Sequence, residues 1–156
     1  MGIETMISGH DLFRALTSEE VRRISEYAST RGFKRYDVIY RHDGRVTHVF
    51  LNLEGRVDLQ LPAQPGGVEV AVGRVGKGEL FGVAPLLGED RYTTTAIAAG
   101  PAEVLAIEAR PLRAVLDENP VAGAQIIRQV ARVYFGRYLD LLRGIQGVAS
   151  QLPLAR

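Results

Sequence analysis

The chain has 156 residues, enough to bury one substantial core, and a formal net charge of only +1. Its 19 basic and 18 acidic residues nearly cancel, without a cationic face or tail, so direct binding of nucleic acid by this chain is not expected. Cysteine is absent, which excludes disulfides, thiolate metal ligands and cysteine nucleophiles. Met1 to Leu12 lacks the basic and apolar blocks of a secretory leader, and no stretch reaches membrane-spanning length; a cytoplasmic protein without membrane contact is expected.

In chain order, the pattern reads helix, then many short strands, then helix, within one domain over 1–156. N-terminal helices are expected over 11–28. Asp11 to Leu16 forms a short apolar segment, and Thr17-Ser18-Glu19-Glu20 is a capping box that starts a helix from Ser18 to about Tyr27. Val21, Ile24 and Ala28 continue along one face of it. From 32 to 108 the hydrophobic period changes to alternation interrupted by Gly. Strands are expected at Asp37–Tyr40, Val49–Leu53, Arg56–Leu61, Val68–Val75, Thr94–Ala98 and Glu103–Ile107, with Glu54-Gly55 turning the central hairpin. Short strands at this spacing predict a sandwich or barrel, here a β-jelly-roll, so the fold class is mainly β with flanking α.

The C-terminal region, 110–150, reads as two helices. Arg110 to Glu118 is short, with Pro111 in its first turn, and Asn119-Pro120 caps and opens a long one reaching about Ser150. Along this helix Ile127, Ala131, Tyr134, Tyr138, Leu141, Ile145 and Val148 recur at steps of four and three, a heptad seam suited to a partner helix. Ile126, Val130 and Val133 form a second stripe that can cover the barrel. Two stripes on one helix lead to the expectation of a homodimer through the long helix, with a different protein partner as the alternative.

No Ser-His-Asp or Cys-His arrangement and no Walker-type loop is present, so no catalytic residue is assigned. His42, His48 and Glu54 fall on neighbouring strands, as a cupin metal site requires, but they lack its His-x-His spacing; no metal is expected, and turn residues are the preferred reading.

The segment Phe81-Gly82-Val83-Ala84-Pro85-Leu86-Leu87-Gly88-Glu89-Asp90-Arg91-Tyr92-Thr93-Thr94-Thr95-Ala96 resembles the phosphate-binding cassette of the cyclic nucleotide-binding domain, the family that includes Crp/Fnr-type effector domains. Leu12 to Thr17, Phe33 to Tyr40, Leu53-Glu54-Gly55-Arg56-Val57 and Gly78-Glu79-Leu80-Phe81-Gly82 are similar to that family's phrases, in the same order. The resemblance implies a non-enzymatic regulatory module, with a cyclic nucleotide or another small anion as its ligand. The family's DNA-binding helix-turn-helix is not seen: eight residues follow Val148, and either the chain has no such module or it stops before one.

Gapless alignment with the cassette puts Val83 where the family has a sugar-binding Glu, and Tyr92 where it has a phosphate-binding Arg. Pro85 falls on a backbone N–H donor and has none. A hydroxyl facing Val83 loses a charged partner, a cost of roughly 1.5–3 kcal/mol. Binding of cyclic AMP by the family's standard contacts is therefore not expected. The candidate ligand residues are Gly82, Val83, Ala84, Arg91, Tyr92, Thr93 and Thr94, with Arg137 and Tyr138 at long-helix positions where the family meets the base. Gly82 fits a ligand approach and a tight turn equally. Tyr92 retains one hydroxyl to donate. Arg91 is read as a loop residue pairing with Glu89 or Asp90, with a one-residue bulge that swings it inward as the alternative. A ligand-sensing dimer, a ligand-free scaffold and, last, a cupin-like metalloenzyme remain as readings.

Overall fold

The computed structural model describes residues 2–151. The chain begins with α1 (Ile3–Ser8), a 3-10 turn at Asp11–Phe13 and α2 (Ser18–Ser25). The expected N-terminal helices at 11–28 therefore start earlier: Ile3, Met6 and Ile7 lie at helical spacing, and Ile7 is fully buried. A six-residue helix is too short for periodicity to identify. The Thr17 cap forms as read, with Thr17 Oγ1 accepting the Glu20 N–H at 3.2 Å, while the Glu20 carboxylate accepts from the Thr17 hydroxyl at 3.1 Å.

Eight strands follow: β1 (Ala28–Phe33), β2 (Val38–Tyr40), β3 (His48–Glu54), β4 (Val57–Leu61), β5 (Val70–Val75), β6 (Leu80–Phe81), β7 (Thr95–Ala98) and β8 (Ala102–Glu108). The roll thus opens at Ala28, and not at residue 32, and Ala28 belongs to a strand and not to the α2 face. β1 is mostly exposed and carries no apolar alternation; its strand geometry comes from pairing with β8, Ala28 opposite Ile107 through Phe33 opposite Ala102. The short β6, also unread in the sequence, pairs with β3 through Phe50 opposite Phe81 and Leu51 opposite Leu80.

The strands form two antiparallel four-stranded sheets, in the orders β1-β8-β3-β6 and β2-β7-β4-β5. The first sheet lies between the helices and the second sheet, which explains its unbroken apolar runs. On β3, Val49 and Leu51 face the helices while Phe50 faces the roll; on β8, Leu105 and Ile107 face the helices while Val104 and Ala106 face inward. The Gly55 turn between β3 and β4 has φ +83°, and a Cβ there would lie 2.2 Å from the Pro101 carbonyl oxygen, so no other residue fits it.

α3 (Ala109–Glu118) leads into α4 (Pro120–Gln151), a helix of 32 residues and roughly 48 Å. Asn119 caps α4 by accepting the Ala122 N–H at 3.2 Å, while its amide donates to the Glu20 carboxylate at 3.0 Å and to the Ala15 carbonyl at 3.0 Å. One side chain thus ties the starts of α2 and α4 together. Ile126 and Val130 are buried against the helical core with Ala122, and Val133 is half-buried. The seam residues Ile127, Ala131, Tyr134, Tyr138, Leu141, Ile145 and Val148 are all exposed, joined by Phe135 and Leu142.

Candidate functional site

The cassette begins at Gly82, whose φ of +62° requires glycine. A Cβ at that position would lie 2.9 Å from Phe50 Cδ2 and 3.0 Å from Tyr40 Cε2. Of its two readings, the turn therefore stands, and the space beside it is taken by the protein's own rings. Val83 is buried and turned away from the roll into the helical core, among Leu112, Val115 and Ile126. Ala84 and Pro85 are buried in a 3-10 turn, Ala84–Leu87, closed by Gly88 at φ +83°.

Residues 90–92 run alongside 43–46 in antiparallel fashion. The Tyr92 N–H donates to Gly44, the Asp43 N–H to Tyr92 and the Val46 N–H to Asp90, at 2.9, 2.9 and 3.0 Å, and Arg45 bridges Arg91. Strand alternation then sets the two neighbours on opposite faces. Arg91 points outward, exposed, and donates to the Asp43 carbonyl at 3.1 Å. The expected pairing with Glu89 or Asp90 does not form, and no bulge turns Arg91 inward. Tyr92 points inward and is buried.

Its hydroxyl donates to the His48 carbonyl at 2.7 Å and receives the N–H groups of His48 and Thr47 at 3.1 and 3.3 Å. The hydroxyl expected to remain for a ligand is committed to the backbone at the head of β3. The ring stacks on Tyr40 at 4.0 Å between centroids, Tyr40 adjoins Phe50 at 5.7 Å, and Phe50 adjoins Phe81 at 5.3 Å. Four buried aromatic side chains thus pack against one another within the roll. Tyr40, Phe50 and Phe81 were not singled out in the sequence. Their signal was available, since each lies at an inward-facing strand position. Burial raises the Tyr40 hydroxyl pKa, and Thr94 Oγ1 stands 3.5 Å from it. Thr93 is exposed; Thr95, also unread, accepts the His42 N–H at 3.0 Å.

On α4 the two candidates separate. Tyr138 is 55% exposed and adjoins Phe135, with ring centroids 6.5 Å apart. The Arg137 side chain is only 13% exposed and lies across β5, with Nη2 3.5 Å from Glu79 Oε2 and the guanidinium 5.1 Å from the Tyr134 ring centroid. Glycine at position 73 makes this possible: a Cβ there would sit 3.1 Å from Arg137 Cδ and 3.2 Å from Nε. Both terminal nitrogens are buried without a hydrogen-bond partner. Burial raises the Tyr134 pKa, opposed by the Arg137 charge and by the contact of that guanidinium with the Tyr134 hydroxyl, and Tyr134 is in turn within electrostatic reach of Tyr40.

The histidines do not gather. His48 contacts Arg31 and Thr47, His42 contacts Asp43, and Glu54 pairs with Lys77. His10 fixes the 3-10 turn by accepting the Leu12 N–H at 3.1 Å on Nδ1, with Nε2 2.8 Å from the Gly78 carbonyl oxygen. Beside it, a cavity of about 340 Å³ lies between the 3-10 turn, the β5–β6 turn and α4, lined in part by Glu79, Gln125, Gln129 and Tyr134.

Two antiparallel sheets, a Gly-led cassette between β6 and β7, and a helix pair crossing the roll define a helix-flanked jelly-roll. A family model described as the cyclic nucleotide-binding domain matches residues 30–119, and the chain belongs to that family. It is 28% identical over 126 residues to a cyclic AMP receptor protein of Thermus thermophilus, a match covering 81% of this chain and 58% of that protein. It is 26% identical over 147 residues to a protein of Rhodopseudomonas palustris described as a potassium channel protein, covering 94% of this chain and 35% of that one. The chain therefore spans little more than half of one relative's length and about a third of the other's. A solved structure described as a cyclic nucleotide-binding protein of Geobacter metallireducens superposes with a TM-score of 0.73 at 26% identity, over 88% of this chain and 99% of that one. Among the described residues, no helix is long and apolar enough to cross a membrane.

Proposed function

We propose that this chain is a non-enzymatic regulatory module of the cyclic nucleotide-binding family whose roll is closed by its own side chains. Cyclic AMP and cyclic GMP are not held by the family's standard contacts. One observation carries the reading: Tyr92, at the position of the phosphate-binding Arg, is locked to the backbone of β3 and stacked on Tyr40. An incoming cyclic phosphate meets a neutral phenol with no free donor, Val83 turned into the helical core, and Pro85 without an N–H.

α4 is the output element. It crosses β5 through Arg137 and carries the exposed apolar seam from Ile127 to Val148, which supports a homodimer in which the seam meets its copy. A ligand acts on such a module only by favouring one seating of α4 over another. A cytoplasmic location, without direct nucleic-acid or membrane contact by this chain, completes the reading. Isothermal calorimetry with cyclic AMP and cyclic GMP tests it. No saturable heat is expected at micromolar ligand, and one-to-one micromolar binding of either overturns it.

The aromatic packing within the roll also favours a second reading, a ligand-free dimerisation scaffold. A flat thermal-shift response across cyclic nucleotides and simple anions supports the scaffold, and a response to an anion supports the sensor.

A further inference from the structure

The molecule holds a buried guanidinium that its own neighbours, Glu79 and Tyr134, satisfy only loosely. Arg137 Nη1 and Nη2 are both out of solvent and without a hydrogen-bond partner, a costly condition unless something else accepts from them. Among the described residues, the carboxylate paired with it is that of Glu79, 3.5 Å away, and the same Oε2 accepts the Gly76 N–H at 3.3 Å. Glu79 is also 42% exposed at the side chain, so it is a loose counter-ion rather than a bidentate partner.

The surroundings fit an oxyanion. Gly73 leaves the room in which the Arg137 stem lies, so the position of the charge is set by the fold and not by chance rotamers. The phenol of Tyr134 lies beside the guanidinium, whose carbon stands 5.1 Å from its ring centroid. The cavity of about 340 Å³ is lined by Glu79 and Tyr134, which stand between it and Arg137, and its Gln125, Gln129 and Glu79 side chains supply acceptors for the body of a small polar molecule.

We infer that Arg137 is an anion-binding residue, and that a small molecule bearing a phosphate or carboxylate group binds between α4 and the β5–β6 turn by displacing Glu79 from the guanidinium. This rests on the reading that the cassette has given up its own cation; the charge then comes from the helix that also carries the output seam. Binding at this point couples ligand to α4 directly.

The test is titration of the full chain with inorganic phosphate and with acetate, followed by thermal shift and by the Arg137 Nε–Hε signal in NMR. The two probes separate phosphate from carboxylate chemistry. Saturable movement of that signal is expected with at least one of them. Arg137→Leu weakens the response about 10- to 100-fold, as for loss of a hydrogen bond to a charged group. Glu79→Gln tightens it about two- to fivefold, the scale of a half-exposed charge. Arg137→Lys, which keeps the charge and packing but not the fork, falls between wild type and Leu and serves if the Leu variant does not fold. A wild-type signal unmoved by either anion overturns the inference, as does Glu79→Gln binding no more tightly than wild type. Either result with cyclic AMP still silent leaves the closed roll standing, whereas saturable cyclic AMP binding removes the closed roll itself.

Discussion

Tyr92 and His48 hold each other through two hydrogen bonds: the phenol donates to the His48 carbonyl at 2.7 Å and accepts the His48 N–H at 3.1 Å. The cassette is thereby fastened to the strand it faces. Tyr92→Phe leaves that carbonyl and the N–H groups of His48 and Thr47 without the hydroxyl, and a loss of about 1–3 kcal/mol is expected in urea unfolding. Tyr92→Arg, which restores the family's residue, sets a charge among aromatic rings and is expected to cost more than the Phe variant.

Gly82→Ala combines a left-handed φ of +62° with a Cβ 2.9–3.0 Å from the Phe50 and Tyr40 rings. Those rings are stacked and have little room to yield. Destabilisation of about 1–3 kcal/mol is expected, and Tyr40→Leu as a second change recovers part of it by opening space. Equal losses in single and double variants contradict this account of the glycine.

Asn119→Ala removes the α4 cap together with the amide contacts to Glu20 and Ala15. The expected loss is about 1–2 kcal/mol in urea unfolding. Glu20→Ala added to it costs less than its own single effect, since the two share one contact.

Tyr138→Glu with Ile145→Glu puts charge on the exposed seam while leaving Ile126 and Val130 in the core. Sedimentation velocity is expected to give a dimer for the wild type and a folded monomer for the pair of substitutions. A wild-type monomer at high micromolar concentration contradicts the proposed dimer.

The His48 imidazole has its pKa lowered, by burial first and by Arg31 second, with Glu108 opposing. The folded chain resists the charged form that the unfolded chain accepts near the ordinary histidine value of about 6.5. Stability contributed by this group is therefore intact above that value and is lost as pH falls through the window beneath it. His48→Gln is expected to reduce the loss of melting temperature between pH 7.5 and 5.5, on the order of a degree or two for a partly exposed group.

The start of α2 with its Thr17 cap, the extents of α3 and α4, the Gly55 hairpin and six of the strands were readable because each has a local signature. β1 was not, since an exposed edge acquires its geometry from the buried strand beside it. The cassette was legible as a pattern. The sides on which its residues lie were not, because alternation assigns Tyr92 inward and Arg91 outward only once residues 43–46 are seen alongside. Arg137 illustrates the same limit: its burial depends on a glycine 64 positions earlier, and no spacing rule joins them.

The most direct measurement is a crystal structure of the chain grown with millimolar cyclic AMP. The expected density has Tyr92 bonded to His48, its ring on Tyr40, and no nucleotide within the roll. A nucleotide seated under Gly82, with the Tyr92 ring swung out and Arg91 on its phosphate, contradicts the closed roll.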